Sequence, residues 1–234
     1  MLTIEGLTAN YGAACIIDKL ALEVRAGEAV SLLGRNGMGK TTLVRSILGF
    51  GSPAQRAGSI VWNGTPLEGF ANHQRARRGI GLVPQGRHVF GSLTVEENLK
   101  TTARGADGSD SWTLERVYEL FPRLAQRRQN KARNLSGGEQ QMVAIGRALM
   151  TNPTLLIMDE PSEGLAPVVV AQMRDQLLRL KGADLSILLV EQNIGLAMAL
   201  ADRIYVLELG QIVYEGAPAE FESNPDLQRK FLGV

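Results

Sequence analysis

Apolar residues in this chain fall into short runs rich in Val, Ile and Leu, which alternate with longer stretches of helical period. Leu2–Leu7, Leu20–Val24 and Ala29–Leu33 read as strands, by alternation or by continuous burial. Thr41–Leu48 reads as a helix and Ser59–Trp62 and Ile80–Val83 as strands. Thr94–Thr102, Ser111–Phe121 and Glu139–Met150 are helical patterns. Leu155–Met158 is a short buried strand followed by a helix over Val168–Leu180, and Ser186–Val190 with Ile194–Ala201 repeats that pair. Arg203–Leu207 and Gln211–Tyr214 predict a hairpin turning at Glu208-Leu209-Gly210, and Pro218–Leu232 predicts one or two short helices.

Strand–helix alternation of this kind predicts an α/β domain with a mostly parallel core sheet. Two regions depart from it. The first quarter is richer in strands, and Leu93–Arg133 is purely helical and holds the Gly-, Ser- and Asp-rich loop Ala103–Asp110. Residues 93–133 therefore read as a helical sub-lobe inserted into a single domain spanning 1–234.

Composition narrows the picture. The 234 residues are 44% hydrophobic and 21% charged, enough for a packed core. A net charge of +1 argues against a partner bound through a broadly basic surface, so no nucleic acid is expected. The single cysteine, Cys15, excludes an internal disulfide and fits a reducing compartment. Beside Ile16-Ile17 it reads as a buried strand residue. The basic stretch Gln74-Arg75-Ala76-Arg77-Arg78 reads as a solvated helix face or its end, and His73 and His88 receive no role. No signal segment is visible and no apolar stretch approaches the ~18 residues of a spanning helix. The expected location is cytoplasmic, with any membrane attachment made through a partner.

Candidate chemistry begins at Gly34-Arg35-Asn36-Gly37-Met38-Gly39-Lys40-Thr41, a complete phosphate-binding loop between a predicted strand and a predicted helix. Glycines let the backbone bend so that successive N–H groups face phosphate oxygens, and the helix N-terminus adds partial positive charge. Lys40 would reach the β- and γ-phosphates, the Thr41 hydroxyl would hold Mg²⁺, and Thr42 would donate to phosphate. Downstream, the buried run Leu155-Leu156-Ile157-Met158 delivers Asp159-Glu160 to the strand end at which α/β sheets bind ligands. Asp159 would bind Mg²⁺, and Glu160 would orient the attacking water or accept its proton.

Leu135-Ser136-Gly137-Gly138-Glu139-Gln140-Gln141 opens another helix. Ser136 and Glu139 fit a capping box, which is a sufficient structural reason for both. Gly137 and Gly138 are not explained by capping and cost helix stability. With Ser136 as donor they would allow a phosphate close to the backbone, a second anion site. The residues alone leave both readings open.

Leu135–Gln141 resembles the signature motif of ABC-type ATPases, and it precedes Asp159-Glu160 by the usual distance; the resemblance covers essentially the whole chain. It implies a P-loop NTPase cassette with a mostly parallel core sheet, an N-terminal antiparallel β part and the inserted helical sub-lobe. It further implies that Tyr11 stacks on adenine, that Gln85 links Mg²⁺ to a transmembrane partner, and that Ser162-Glu163-Gly164-Leu165-Ala166 is the loop after the catalytic glutamate. The implied cofactors are ATP and Mg²⁺. Two cassettes, identical or different, would pair so that Ser136, Gly137, Gly138, Glu139 and Gln140 of one complete the ATP site of the other. Closure would drive permease subunits served indirectly by a solute-binding protein, with the chain peripheral on the inner membrane face.

The chain departs from the family pattern twice. Gln192, in Val190-Glu191-Gln192-Asn193, stands where most cassettes have a γ-phosphate histidine, and Ala166 stands where an aspartate is usual. An amide can donate a hydrogen bond but cannot shuttle a proton, so the general-base role falls on Glu160. These segments, with Pro84-Gln85-Gly86-Arg87 and Leu93-Thr94-Val95-Glu96-Glu97-Asn98-Leu99, are similar to LivF-type ATPases of branched-chain amino-acid importers. The short C-terminus Phe231-Leu232-Gly233-Val234 is similar too. Importers of urea or short amides share these features. A soluble non-transport ABC ATPase and a P-loop kinase are the readings from other classes.

Overall fold

The computed structural model describes residues 1–105, 111–181, 185–224, 227 and 229. The second half of the Ala103–Asp110 loop and most of the tail after Asn224, including the Phe231–Val234 terminus, lie outside the described residues. The strands are β1 (Leu2–Tyr11), β2 (Ala14–Val24), β3 (Ala29–Leu33), β4 (Ala54–Trp62), β5 (Thr65–Pro66), β6 (Ile80–Val83), β7 (Leu155–Asp159), β8 (Ser186–Glu191), β9 (Arg203–Glu208) and β10 (Gln211–Gly216). The helices are α1 (Lys40–Leu48), α2 (Asn72–Arg77), α3 (Val95–Lys100), α4 (Leu114–Leu120), α5 (Pro122–Gln126), α6 (Gly137–Leu149), α7 (Pro167–Leu178), α8 (Ile194–Leu200) and α9 (Pro218–Glu222).

Two sheets organise the described residues. An antiparallel one runs β2-β1-β4-β5, and a six-stranded one runs β10-β9-β3-β8-β7-β6. In the second, all neighbours are parallel except the β9–β10 hairpin at the edge. The central strands are apolar throughout because both faces are covered. Along β7, Leu155 and Ile157 join the core shared with the antiparallel sheet and α1, while Leu156 and Met158 join the core shared with α6 and the short helices. Leu188 and Val190 of β8 alternate with Ile187 and Leu189 in the same way, as a period of two requires. The parallel order brings the C-terminal ends of β3, β7 and β8 side by side.

Between β6 and α6, α3, α4 and α5 form the helical segment, whose two ends meet. Thr94 bridges Lys131, and the Ala132 amide donates to Leu93 O at 2.9 Å. Thr94 caps α3 through a capping box with Glu97.

Two readings of the sequence are corrected. Cys15 lies in β2 as expected, but it is exposed; it sits near the tip of the β1–β2 hairpin, opposite Asn10, beyond the reach of the core. The basic stretch is not wholly solvated, because Arg75 is only 5% exposed. Its guanidinium donates to Ser46 O and Ile47 O, both at 2.9 Å, and to Phe70 O at 2.9 Å. A cation on the last carbonyls of a helix satisfies orphan acceptors and meets the negative end of the helix dipole. Arg75 thereby anchors the far end of α1, the helix that starts at Lys40. Replacing Arg75 by Met keeps the apolar stem but removes the donor from Ile47 O and Phe70 O, while Ser46 O keeps the Gly49 N–H at 3.2 Å. We expect a loss of about 3 kcal/mol and a fall in Tm of about 6–12 °C by circular dichroism. A melting point unchanged within about 2 °C would show that the contacts do not anchor α1.

Candidate functional site

β3 ends at Leu33, and the chain turns through Gly34–Gly39 into α1. Gly39 takes φ +106°, a conformation L side chains rarely adopt, and a Cβ there would also meet Ile16 O at 3.2 Å. This residue type is therefore required for the loop to wrap back onto its helix. Lys40, at the first turn of α1, is 4% exposed. Its ammonium donates to Gly34 O at 2.7 Å and Arg35 O at 3.0 Å, and pairs with Glu160 Oε1 at 2.9 Å. Met38 is tied to the β9–β10 turn: Gly210 N–H donates to its carbonyl at 3.1 Å and Leu209 N–H to its sulfur at 3.3 Å.

Asp159 and Glu160 arrive from the end of β7. Glu160 has φ +48°, unusual for a residue with a side chain, and its amide is held by Val190 O at 2.8 Å. Backbone strain of this sort concentrates at functional sites. Gln85, from the loop after β6, donates to Glu163 at 2.9 Å and to Glu160 at 3.4 Å. Asp159 is 3% exposed. Burial pushes its carboxyl up to about 6; Glu160 and Glu163 push the same way, while the Thr41 hydroxyl bonded to it and the Lys40 charge oppose. Its Oδ1 is buried with no hydrogen-bond partner among the described residues. A buried carboxylate oxygen without a donor, beside a threonine hydroxyl, fits a hard divalent cation with oxygen ligands.

Lys40, Gln85 and Glu160 share one cleft with Asn36, Gly37, Gly39, Thr41 and Thr42, and the buried Asp159 does not line it. A second opening beside it is lined by Asn36, Glu160, Ser162, Glu163, Gly164, Glu191, Gln192 and Asn193. Asn36 and Glu160 belong to both. The exposed Gln192 side chain thus lies on the same side as the phosphate loop. Tyr11 is 39% exposed at the end of β1 and lines neither opening.

Ser136–Gln140 also line neither opening. Ser136 caps α6, accepting from Glu139 N–H at 3.3 Å and donating to Glu139 Oε2 at 2.9 Å. Glu139 pairs with Arg127 at 2.9 Å, and Gln140 donates to Ala132 O at 3.1 Å. A Cβ on Gly138 would meet Val169 Cγ1 at 2.4 Å, so close packing of α6 on α7 is itself a reason for that glycine. A Cβ on Gly137 would meet the Arg87 guanidinium at 2.5 Å, and Arg87 also donates to Gly164 O at 2.9 Å. Arg87 is therefore bonded to the loop after Glu160 and packs close against the helix start at Gly137. Ala166 serves as the uncharged N-cap of α7, ahead of Pro167.

Three residues at the site were not singled out from sequence: Glu163, Arg87 and Glu191. For Glu191 a signal existed. It ends the apolar run Leu188–Val190 much as Asp159 ends Leu155–Met158.

Comparison with known proteins agrees with this fold. The family model described as ABC transporter matches residues 17–163. The high-affinity branched-chain amino acid transport ATP-binding protein BraG of Pseudomonas aeruginosa is 43% identical over 234 residues, all of both chains. A probable branched-chain amino acid transport ATP-binding protein, LivF, of Archaeoglobus fulgidus is 33% identical over all of this chain and 99% of its own. The lipopolysaccharide export system ATP-binding protein LptB of Haemophilus influenzae is also 33% identical, over all of this chain and 97% of its own. The crystal structure of a nucleotide-free ATP-binding cassette from an ABC transporter superposes with a TM-score of 0.83 at 27% identity, covering 97% of this chain and 96% of that one.

Proposed function

The chain belongs to the ABC transporter family, and on that premise we propose that it is the ATP-binding and ATP-hydrolysing subunit of an importer for branched-chain or other small hydrophobic amino acids. One observation carries the ATPase reading: the phosphate-loop lysine and a strained, buried glutamate meet at 2.9 Å in one cleft. The solute follows the relative at 43% identity, which is nearer in sequence than the lipopolysaccharide-export relative at 33%.

In this reading residues 1–234 form one ATP-binding domain carrying the helical sub-lobe at about 93–133. Backbone amides of Gly34–Thr41, with Thr42, hold the phosphates, and Tyr11 stacks on adenine. Lys40 exchanges Glu160 for the β- and γ-phosphates. Thr41, Gln85 and Asp159 hold Mg²⁺, which neutralises charge on the phosphate oxygens when bound. Glu160 takes the proton of the attacking water, and the Gln192 amide donates to the γ-phosphate. Ser136–Gln140 of a second ATPase subunit complete the site. ATP then binds the closed pair more tightly than the open one, which is what a switch requires.

No helix among the described residues is long and apolar enough to cross a membrane, so work on a membrane needs permease subunits. A mainly apolar groove between β6 and α6, lined by Phe50, Leu82, Pro84, His88, Ala144 and Ala148, suits a short helix from such a permease. Gln85 follows Pro84 directly and connects the groove to the ATP cleft. A solute-binding protein would act through the permeases, and the chain would sit on the inner face of the cell membrane.

Uptake of labelled leucine into proteoliposomes that hold the permeases, the binding protein and ATP is expected to require this chain. Leucine uptake that persists without it would remove the assignment. Uptake of labelled urea or acetamide in its place would move it to the urea or short-amide branch. Purification with ribosomes or DNA and never with polytopic membrane proteins would favour a non-transport ATPase.

A further inference from the structure

Glu191 is a buried carboxylate that the chemistry above leaves unused. It closes β8 beside Leu33, the last residue of the strand that enters the phosphate loop, and is 2% exposed. Its Oε1 accepts the backbone N–H of Ser162 at 2.9 Å. Its Oε2 accepts those of Gln192 at 3.0 Å and Asn193 at 2.9 Å. A single rigid group therefore joins two loops, the one that leaves Glu160 and the one that carries Gln192, and all of them line the same opening. Glu160 sits inside this frame, its amide bonded to Val190 O on one side and Ser162 two residues on along the chain.

We propose that Glu191 is a positioning residue that fixes Gln192 relative to Glu160 and relays γ-phosphate contact at residue 192 to the Glu160 loop. The inference rests on the hydrolytic site proposed above. A carboxylate is planar, so movement of the Gln192 and Asn193 amides that drags one oxygen must turn the other, and with it the Ser162 amide. The chemistry of the donors makes the residue type specific. Three N–H groups converge on two acceptor oxygens. A glutamine of the same shape has one oxygen and one NH₂, so in either orientation a donor faces a donor and one arm of the clamp opens.

The test measures steady-state ATP hydrolysis, ATP affinity and melting temperature for the full chain carrying E191Q, Q192A, both, or E160Q. A misplaced catalytic group costs up to about 100-fold. E191Q is expected to lower kcat about 10-fold or more while KM for ATP stays within about 2-fold, a split that a purely structural brace would not produce. Q192A is expected to slow hydrolysis as well, and the double variant to fall no more than about 2-fold below the slower single one, because both act through one connection. Wild-type kcat in folded E191Q overturns the proposal, and so do losses that multiply in the double variant. If E191Q fails to fold, E191D decides. It keeps the charge near Gln192 and Asn193 but withdraws from Ser162, and must show the same loss of kcat; wild-type turnover in E191D overturns the relay. An active E160Q would instead remove the hydrolytic reading itself, so the two failures are distinguishable.

Discussion

Replacing Glu160 by Gln is expected to lower ATP turnover by about 100-fold or more while ATP binding is kept, because a positioned general base supplies about 10²–10⁴ in rate. Three features place that role on Glu160. Its side chain is 8% exposed yet borders both openings at the site. Its backbone is held at φ +48° by the Val190 carbonyl. The alternative at position 192 is an amide, which has no proton-accepting state near neutral pH. Affinity for ATP is expected to hold or to tighten. The wild-type carboxylate competes with phosphate for Lys40, to which it is paired at 2.9 Å, and it repels the phosphate charge; Gln does neither. With hydrolysis stopped and ATP bound, the closed pair of subunits should persist. It would elute at the mass of two ATPase subunits in ATP and revert in ADP. An E160Q enzyme with near-normal turnover would take the base role away from this residue, and a variant that no longer bound ATP would show that Glu160 instead builds the phosphate loop.

Much of this was legible in the sequence where the chain makes one strong choice at a time. The runs Leu155–Met158 and Ser186–Val190 are buried on both faces, and their periodicity has nothing to compete with. The phosphate loop was legible because its glycines serve one backbone path. Strand ends in the antiparallel sheet were harder. β1 runs on to Tyr11 and β2 begins at Ala14, but register shifts after Ile4 and Leu7 break the alternation that marks a strand. β4 begins at Ala54, well before the apolar run at Ile60. α5 begins just after the predicted helix Ser111–Phe121 and was not set apart within the helical sub-lobe, although Pro122 at its first turn is a start signal.

At the site, side chains that act on the protein itself were the least visible. Arg75 was submerged in a run of like charges, and only the fold shows that it alone of them turns inward onto α1. Glu191 looked like a polar strand end until Ser162 was brought to it from 29 residues away. Gly138 had two sufficient causes, close packing on Val169 and phosphate access, and geometry adds the first without removing the second.

Asp159 carries the other large effect, and it acts in two opposite directions. Its carboxyl is pushed up to about 6 from 3.8, so between those values the folded protein holds a proton that the unfolded chain has released. Stability from this group is full below about pH 4 and is lost as pH rises to about 6. Above that, the buried charge costs about 2–3 kcal/mol. Asp159→Asn cannot ionise and keeps an oxygen for the Thr41 hydroxyl. The nucleotide-free variant is therefore expected to melt about 4–12 °C above wild type at pH 7.5, with the gain vanishing near pH 4. Turnover should move the other way, falling about 100-fold or more, because the amide lacks the charge that would hold Mg²⁺. Magnesium added with ATP should raise the melting temperature of wild type and not of the variant. A variant less stable than wild type at pH 7.5 would show that the carboxylate is satisfied by the protein alone. Retained magnesium-dependent turnover would place the cation on Thr41 and Gln85 without it. The expected pairing, higher stability with lost activity, marks a charge that the fold tolerates only because the reaction needs it.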